Sequence, residues 1–171
     1  MAWTAVNPVA IGAATKKSDY DKLWDNADLL YASLPWMIDI DVFNDPLSHV
    51  NWNALDADAL MFNGGTKRTI AGAQNDEITW PVTLAAGTWS FILLHNTLPS
   101  NGIYNVFLDA TLVGTIDGYV AGEQWNVTSS IAGIIVATTA KYILKIKMAT
   151  KNGAASAYYG RIGAVRLLRT A

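Results

Sequence analysis

The chain has 171 residues and a net charge of −2, from 12 Lys and Arg against 14 Asp and Glu, which gives no cationic footprint for displacing the counterions of a nucleic acid. It holds no cysteine, so disulfides, thiolate nucleophiles and Cys-ligated zinc are excluded, and no apolar run nears the roughly 20 residues of a membrane-spanning helix. Hydrophobic residues make up 51% and charged ones 15%, with seven Trp and seven Tyr; that balance points either to a ring-filled core or to apolar surface left for a partner.

The opening residues, MAWTAVNP, have neither the basic start nor the apolar stretch of a secretory signal. With Pro8, Gly12 and many small side chains, residues 1–17 are expected as an extended arm. A helix is predicted over 18–34, where Tyr20, Leu23, Trp24, Ala27, Leu30, Tyr31 and Leu34 fall on one helical stripe. Ser18 and Asp21 resemble a capping box, and Pro35 ends the run. Tyr20, Ala27 and Leu34 also repeat at seven, so those seven side chains are the candidate oligomerisation surface; a helix laid across one end of the next domain fits the same stripe. The domain boundary is placed near Pro35, with an arm and helix over 1–35 and a single domain over 36–171.

Beyond it, WMIDIDVF (36–43) sets Trp36, Ile38, Ile40 and Val42 on one face and Asp39 and Asp41 on the other, a half-buried strand. Residues 45–58 are expected as loop and 59–63 as strand, with Asn63, Gly64 and Gly65 turning a hairpin into 67–70. Another loop covers 71–77, and 78–84 is a strand whose Pro81 marks an edge or a bulge. From 88 onward, strands are expected over 88–95, 103–109, 111–117, 131–137, 141–150 and 157–168, with 122–130 as a polar loop. Short strands punctuated by Gly, Asn and Asp turns favour a sandwich or barrel over a parallel sheet.

Side chains that could do chemistry are scarce. His49 and His95 are far apart and outside any metal-type spacing; His95, ending an apolar strand, is expected at the rim. Asp39 with Asp41, and Asp56 with Asp58, could supply oxygens to calcium, but neither pair has the Gly-punctuated loop of a calcium site, and solvated carboxylates are the better reading. No phosphate-binding Gly loop occurs. No cofactor, metal site or catalytic group is therefore expected, and no enzyme. Aromatic residues near turns are the strongest functional signal, because a flat ring stacks on the apolar face of a sugar. The candidate glycan-binding residues are Tyr119, Trp125 in the 122–130 loop, Tyr158 and Tyr159.

AAGTWSFILL (85–94), NGIYNVFLDATLVGTIDGY (101–119), KYILKIKMATKN (141–152) and SAYYGRIGAVRLLRT (156–170) follow one another in an order that resembles a galactose-binding-like jelly-roll domain of the kind found in phage tail and other virion proteins. Ala110 stands where that pattern has Gly. The segment NPVAIGAATKKSDYDKLWDNADLLYA (7–32) is similar to short N-terminal segments of phage structural proteins, which attach or trimerise a following module. The resemblance implies a mostly β protein, a jelly-roll β-sandwich preceded by an arm and one α-helix. It implies a virion subunit of the tail-fibre, receptor-binding or capsid-decoration type, a homo-oligomer with a trimer favoured, contacting other virion proteins and a cell-surface glycan. The competing expectation is a carbohydrate-binding module of a polysaccharide-degrading enzyme.

Overall fold

A computed structural model describes residues 37–40, 48–52, 56–57, 65–69 and 72–171. The arm, the helix stripe from Tyr20 to Leu34, the boundary near Pro35 and the strand expected over 59–63 all lie outside these residues. No helix occurs among the described residues.

Two antiparallel sheets form the domain. The first holds β3 (Asp56–Ala57), β4 (Gly65–Arg68), β11 (Arg161–Arg169), β6 (Gly87–Thr97) and β9 (Gln124–Val136) in that order, with β1 (Met37–Ile40) paired to the other end of β11. The second runs β2 (Ser48–Val50), β5 (Glu77–Leu84), β10 (Ala140–Thr150), β7 (Ile103–Leu108), β8 (Thr111–Asp117). Because side chains alternate across a strand, each inner strand gives the core every second residue: Trp89, Phe91 and Leu93 from β6, Tyr104 and Val106 from β7, Leu144, Ile146 and Met148 from β10, all buried. Ile38 and Ile40 turn toward this core while Met37 and Asp39 face solvent, as the alternation in WMIDIDVF requires. Of the four Trp among the described residues, Trp52, Trp80 and Trp89 are fully buried, so ring-richness here serves mainly the core.

Several expectations shift. The 122–130 loop is mostly strand: β9 begins at Gln124 and slips register against β6 twice. Asn126 (φ 56°) and Gly133 (φ 73°) stand at the two slips in left-handed conformations, which is how a bulge absorbs an extra residue without losing the ladder. Sequence alternation is broken at such points, and that hid the first half of the strand. Short strands β2 and β3 likewise fall inside the stretch expected as loop, and β4 pairs with β3. β11 starts at Arg161 rather than 157. Pro81 lies opposite Ile143 of β10, past the residues Glu77–Thr79 that the described part of β2 pairs with. In the β7–β8 turn the left-handed residue is Asp109 (φ 52°), whose carboxylate accepts from the Ile143 N–H at 2.7 Å; Ala110 therefore has no need of a glycine.

Phe91 is fully buried between the sheets. Phe91→Ala is expected to destabilise the domain by about 3–5 kcal/mol, read as a lower denaturant midpoint with unchanged slope.

Candidate functional site at the loop end

At one end of the sandwich the connections β4–β5, β6–β7, β8–β9 and β10–β11 meet and bond to one another through their backbones. Tyr159 N–H donates to Ser100 O at 3.1 Å and Gly102 N–H donates to Tyr159 O at 2.8 Å. Tyr158 N–H donates to Gly72 O, Leu98 N–H to Gly118 O and Ser156 N–H to Pro99 O, each at 3.1 Å. Thr69 and Gly160 exchange two bonds, one through the Thr69 hydroxyl. Loops bonded this way behave as an extension of the sheets, since opening any one orphans peptide groups in several.

On this platform lies a half-open cavity of about 140 Å³ lined by Arg68, Leu98, Ser100, Tyr159, Gly160 and Arg161. Tyr159 is seated by Gly72: its left-handed φ of 59° suits glycine, and a Cβ there would come within 2.9 Å of the Tyr159 ring. Arg161 and Arg68 are direct cross-strand partners at the start of the β4–β11 ladder. The Arg161 guanidinium lies 5.6 Å from the centre of the Trp125 ring, a cation–π contact that fixes its plane. Beneath it, the buried Tyr104 hydroxyl donates to Arg161 O at 3.2 Å and accepts from Arg161 N–H at 3.0 Å. Burial raises the pKa of this phenol well above its usual value, against the smaller opposing effect of its bond to Arg161, so it acts as a neutral strut.

Of the four aromatic residues expected from sequence, only Tyr159 lines the cavity; Trp125 lies beside Arg161, and Tyr119 pairs through its backbone with Leu98. Tyr158 packs against the core instead, with Lys151 Nζ 5.5 Å from its ring centre. Trp125 belongs to β9 rather than a loop and is half-buried. The two arginines were not singled out as site residues, because nothing in sequence spacing reveals that residues 68 and 161 face each other across a ladder.

His95 is not at the rim. It is fully buried, its Nδ1 bonded to Asn96 O and its Nε2 to Ser129 Oγ, each at 2.9 Å, with the Tyr104 ring edge-on at 5.2 Å. Both ring nitrogens are engaged inside the core, which leaves neither for a substrate. His49 is exposed on β2. Asp39 pairs with Arg166 through two bonds of 2.5 and 3.2 Å, and Asp41 and Asp58 lie outside the described residues. Among the described residues no three His, Asp or Glu side chains form a metal-type group. A second, larger depression of about 240 Å³ lies on the outer face of the first sheet, lined by Asp39, Ile92, Leu94, Thr128, Ala164 and Arg166; no aromatic residue lines it, and Asp39 and Arg166 are paired with each other.

No protein-family model matches the chain, and no curated protein matches it. Solved structures do. The chain is similar to Paenibacillus xanthan lyase at 16% identity and a TM-score of 0.67 over 80% of its length, spanning 14% of the lyase chain. It is similar to the CBM36-1 domain of a multidomain xylanase from the hindgut metagenome of Trinervitermes trinervoides (10% identity, TM-score 0.53, 81% of this chain and 99% of that one). A family 35 carbohydrate-binding module from Clostridium thermocellum matches at 12% identity and a TM-score of 0.52, covering 79% of this chain and 99% of that one. The fold is a mostly β sandwich of two antiparallel sheets, consistent with the jelly-roll fold. At these identities the likeness speaks of fold alone; it upholds the jelly-roll expectation and lends no support to a virion setting.

Burial lowers the His95 pKa from its usual 6.5, with the Asn96 bond opposing. The unfolded chain takes up this proton below about pH 6.5 while the folded chain resists it, so stability is full above that value and falls as pH drops through the lowered folded pKa. Melting temperature is expected to fall between about pH 7.5 and pH 5, and less steeply in His95→Gln. Gly72→Ala, forced into a left-handed backbone against the Tyr159 ring, is expected to cost about 1–2 kcal/mol, seen by chemical denaturation.

Proposed function

We propose that the described domain is a carbohydrate-binding module that takes a sugar in the loop-end cavity. The reading is carried by one observation: Tyr159, Ser100, Arg68 and Arg161, the last braced on Trp125, line a small open cavity whose walls are bonded together. An aromatic ring offers an apolar face to a sugar, and fixed donors around it select hydroxyl positions. Because the loops are already ordered, little conformational entropy is lost on binding. The fold supports the same reading, since the similar structures include carbohydrate-binding modules of nearly the same extent as this domain.

Nothing in this mechanism breaks a bond. Between the two settings expected from the sequence, the module of a polysaccharide-degrading enzyme is better supported than the virion subunit. Self-association through Tyr20, Leu23, Trp24, Ala27, Leu30, Tyr31 and Leu34 would raise the effective concentration of weak sites on a polymer.

In affinity electrophoresis against a panel of soluble polysaccharides, at least one polymer is expected to retard the protein. Tyr159→Ala should weaken that retention about tenfold, about 1.4 kcal/mol, without moving the melting temperature. A protein that migrates identically in every gel would overturn the proposal.

A further inference from the structure

We propose that two copies of this chain pair through the free edge of β9, joining their first sheets into one across a twofold axis. β9 is the last strand of that sheet and is bonded to β6 alone among the described strands. The unpaired N–H and C=O groups of such an edge are a template for another strand, and proteins guard them with charges, proline or brevity. Other edges of this sandwich are guarded in that way: β1 carries Asp39, β3 carries Asp56, β8 ends in Asp117, and β2 has only 3 residues. β9 runs for 13 residues, with no charged residue and no proline between Glu123 and Lys141. Its outward side chains Thr128, Ser130, Ala132 and Ile135 are all exposed, Ile135 at 81%.

What fits this edge is the edge itself. The two register slips leave a regular ladder over Val127–Ile131, between the bulges at Asn126 and Gly133, and that stretch is symmetric about Ser129. Outside the ladder with β6, the one bond from it among the described residues is that of the Ser129 hydroxyl, which points inward to His95. An antiparallel copy centred on Ser129 sets Thr128 against Ser130 on the exposed face and Val127 against Ile131 on the inner one. The first pair is of a type that hydrogen-bonds across strands, the second sets two β-branched side chains together, and no like charges meet. An isologous contact of this kind closes at two copies, so the edge is used up rather than left to propagate. A foreign peptide meets the same backbone, yet finds no charge on the edge to fix which residue sits where. Because the paired strands run antiparallel, the two loop ends point in opposite directions and the dimer carries its cavities at opposite poles. The inference does not depend on what those cavities hold.

The test is sedimentation velocity on the full chain from about 5 to about 500 µM. A ladder this short buries less than the roughly 1,200 Å² of a standard interface, so a dimer that comes apart on dilution is expected. Thr128→Lys combined with Ser130→Lys, both on the exposed face, sets lysines opposite one another across the axis. That variant should weaken the dimer at least about tenfold, with the melting temperature of the dilute protein unchanged. The chain has no cysteine, so a cross-link reads the register directly. Opposed residues of an antiparallel pair lie about 4.5–5.5 Å apart at Cα, within reach of a disulfide. Thr128→Cys and Ser130→Cys, mixed in equal amounts and oxidised, should therefore form a covalent pair, whereas Thr128→Cys mixed with Thr83→Cys on β5 should not. A monomer at every concentration, an assembly other than a dimer, a dimer indifferent to the two lysines, or a mixed pair that cross-links no faster than the control overturns the inference.

Discussion

A peptide group removed from water must find a partner, and at the loop end of this sandwich the partners lie in other loops. Ser100 with Tyr159, Tyr159 with Gly102, Gly72 with Tyr158 and Leu98 with Gly118 form a lattice of backbone bonds that continues the two sheets past their strands. Its consequence is positional. Tyr159 and Arg161 are held from both sides, so the cavity between them exists before any ligand arrives. Replace Gly72, whose left-handed backbone brings it against the Tyr159 ring, and that junction of the lattice is strained.

The core contributes by fixing the ends of the strands from which those loops spring. Tyr104 shows the link most directly: its ring is fully buried, and its hydroxyl bonds to both backbone groups of Arg161. The phenol therefore ties the packing of β7 to the first residue of β11, and through it to the cavity wall. His95 packs edge-on against the same ring and bonds to Ser129 on β9. A buried polar chain of this kind fixes register in a way that apolar packing alone does not. The molecule thus divides its aromatic residues, with Trp52, Trp80, Trp89 and Phe91 filling the interior and Trp125 and Tyr159 shaping the end.

Much of the sandwich was legible because strict alternation survives wherever a strand runs unbroken between two buried layers. The strands around Phe91 and Tyr104 are of this kind, with limits within two residues of the expected ones, and those around Ile116 and Ile146, each with one register slip, still agree to within one. Alternation fails where the ladder bulges, which is why the start of β9 around Asn126 read as loop and Trp125 with it. Burial of His95 was likewise invisible, since a polar side chain at the end of an apolar run resembles a rim residue until the strand is seen to continue to Thr97. For the site, rings were a usable signal and charges were not: Tyr159 announces itself, whereas Arg68 and Arg161 acquire meaning only through the pairing of β4 with β11. The placement of the segment before Met37 lies outside the described residues, and with it every expectation of attachment or trimerisation.

The central claim is that the bonded loop end, not a sheet face, receives the ligand. Backbone amide chemical shifts, followed while a retained oligosaccharide is added to isotopically labelled protein, locate contact residue by residue. The account predicts that the largest changes fall together on residues 68–72, 98–102 and 157–161, with the strands of the outer face unmoved. Changes centred instead on Ile92, Leu94, Thr128 and Ala164 would contradict it.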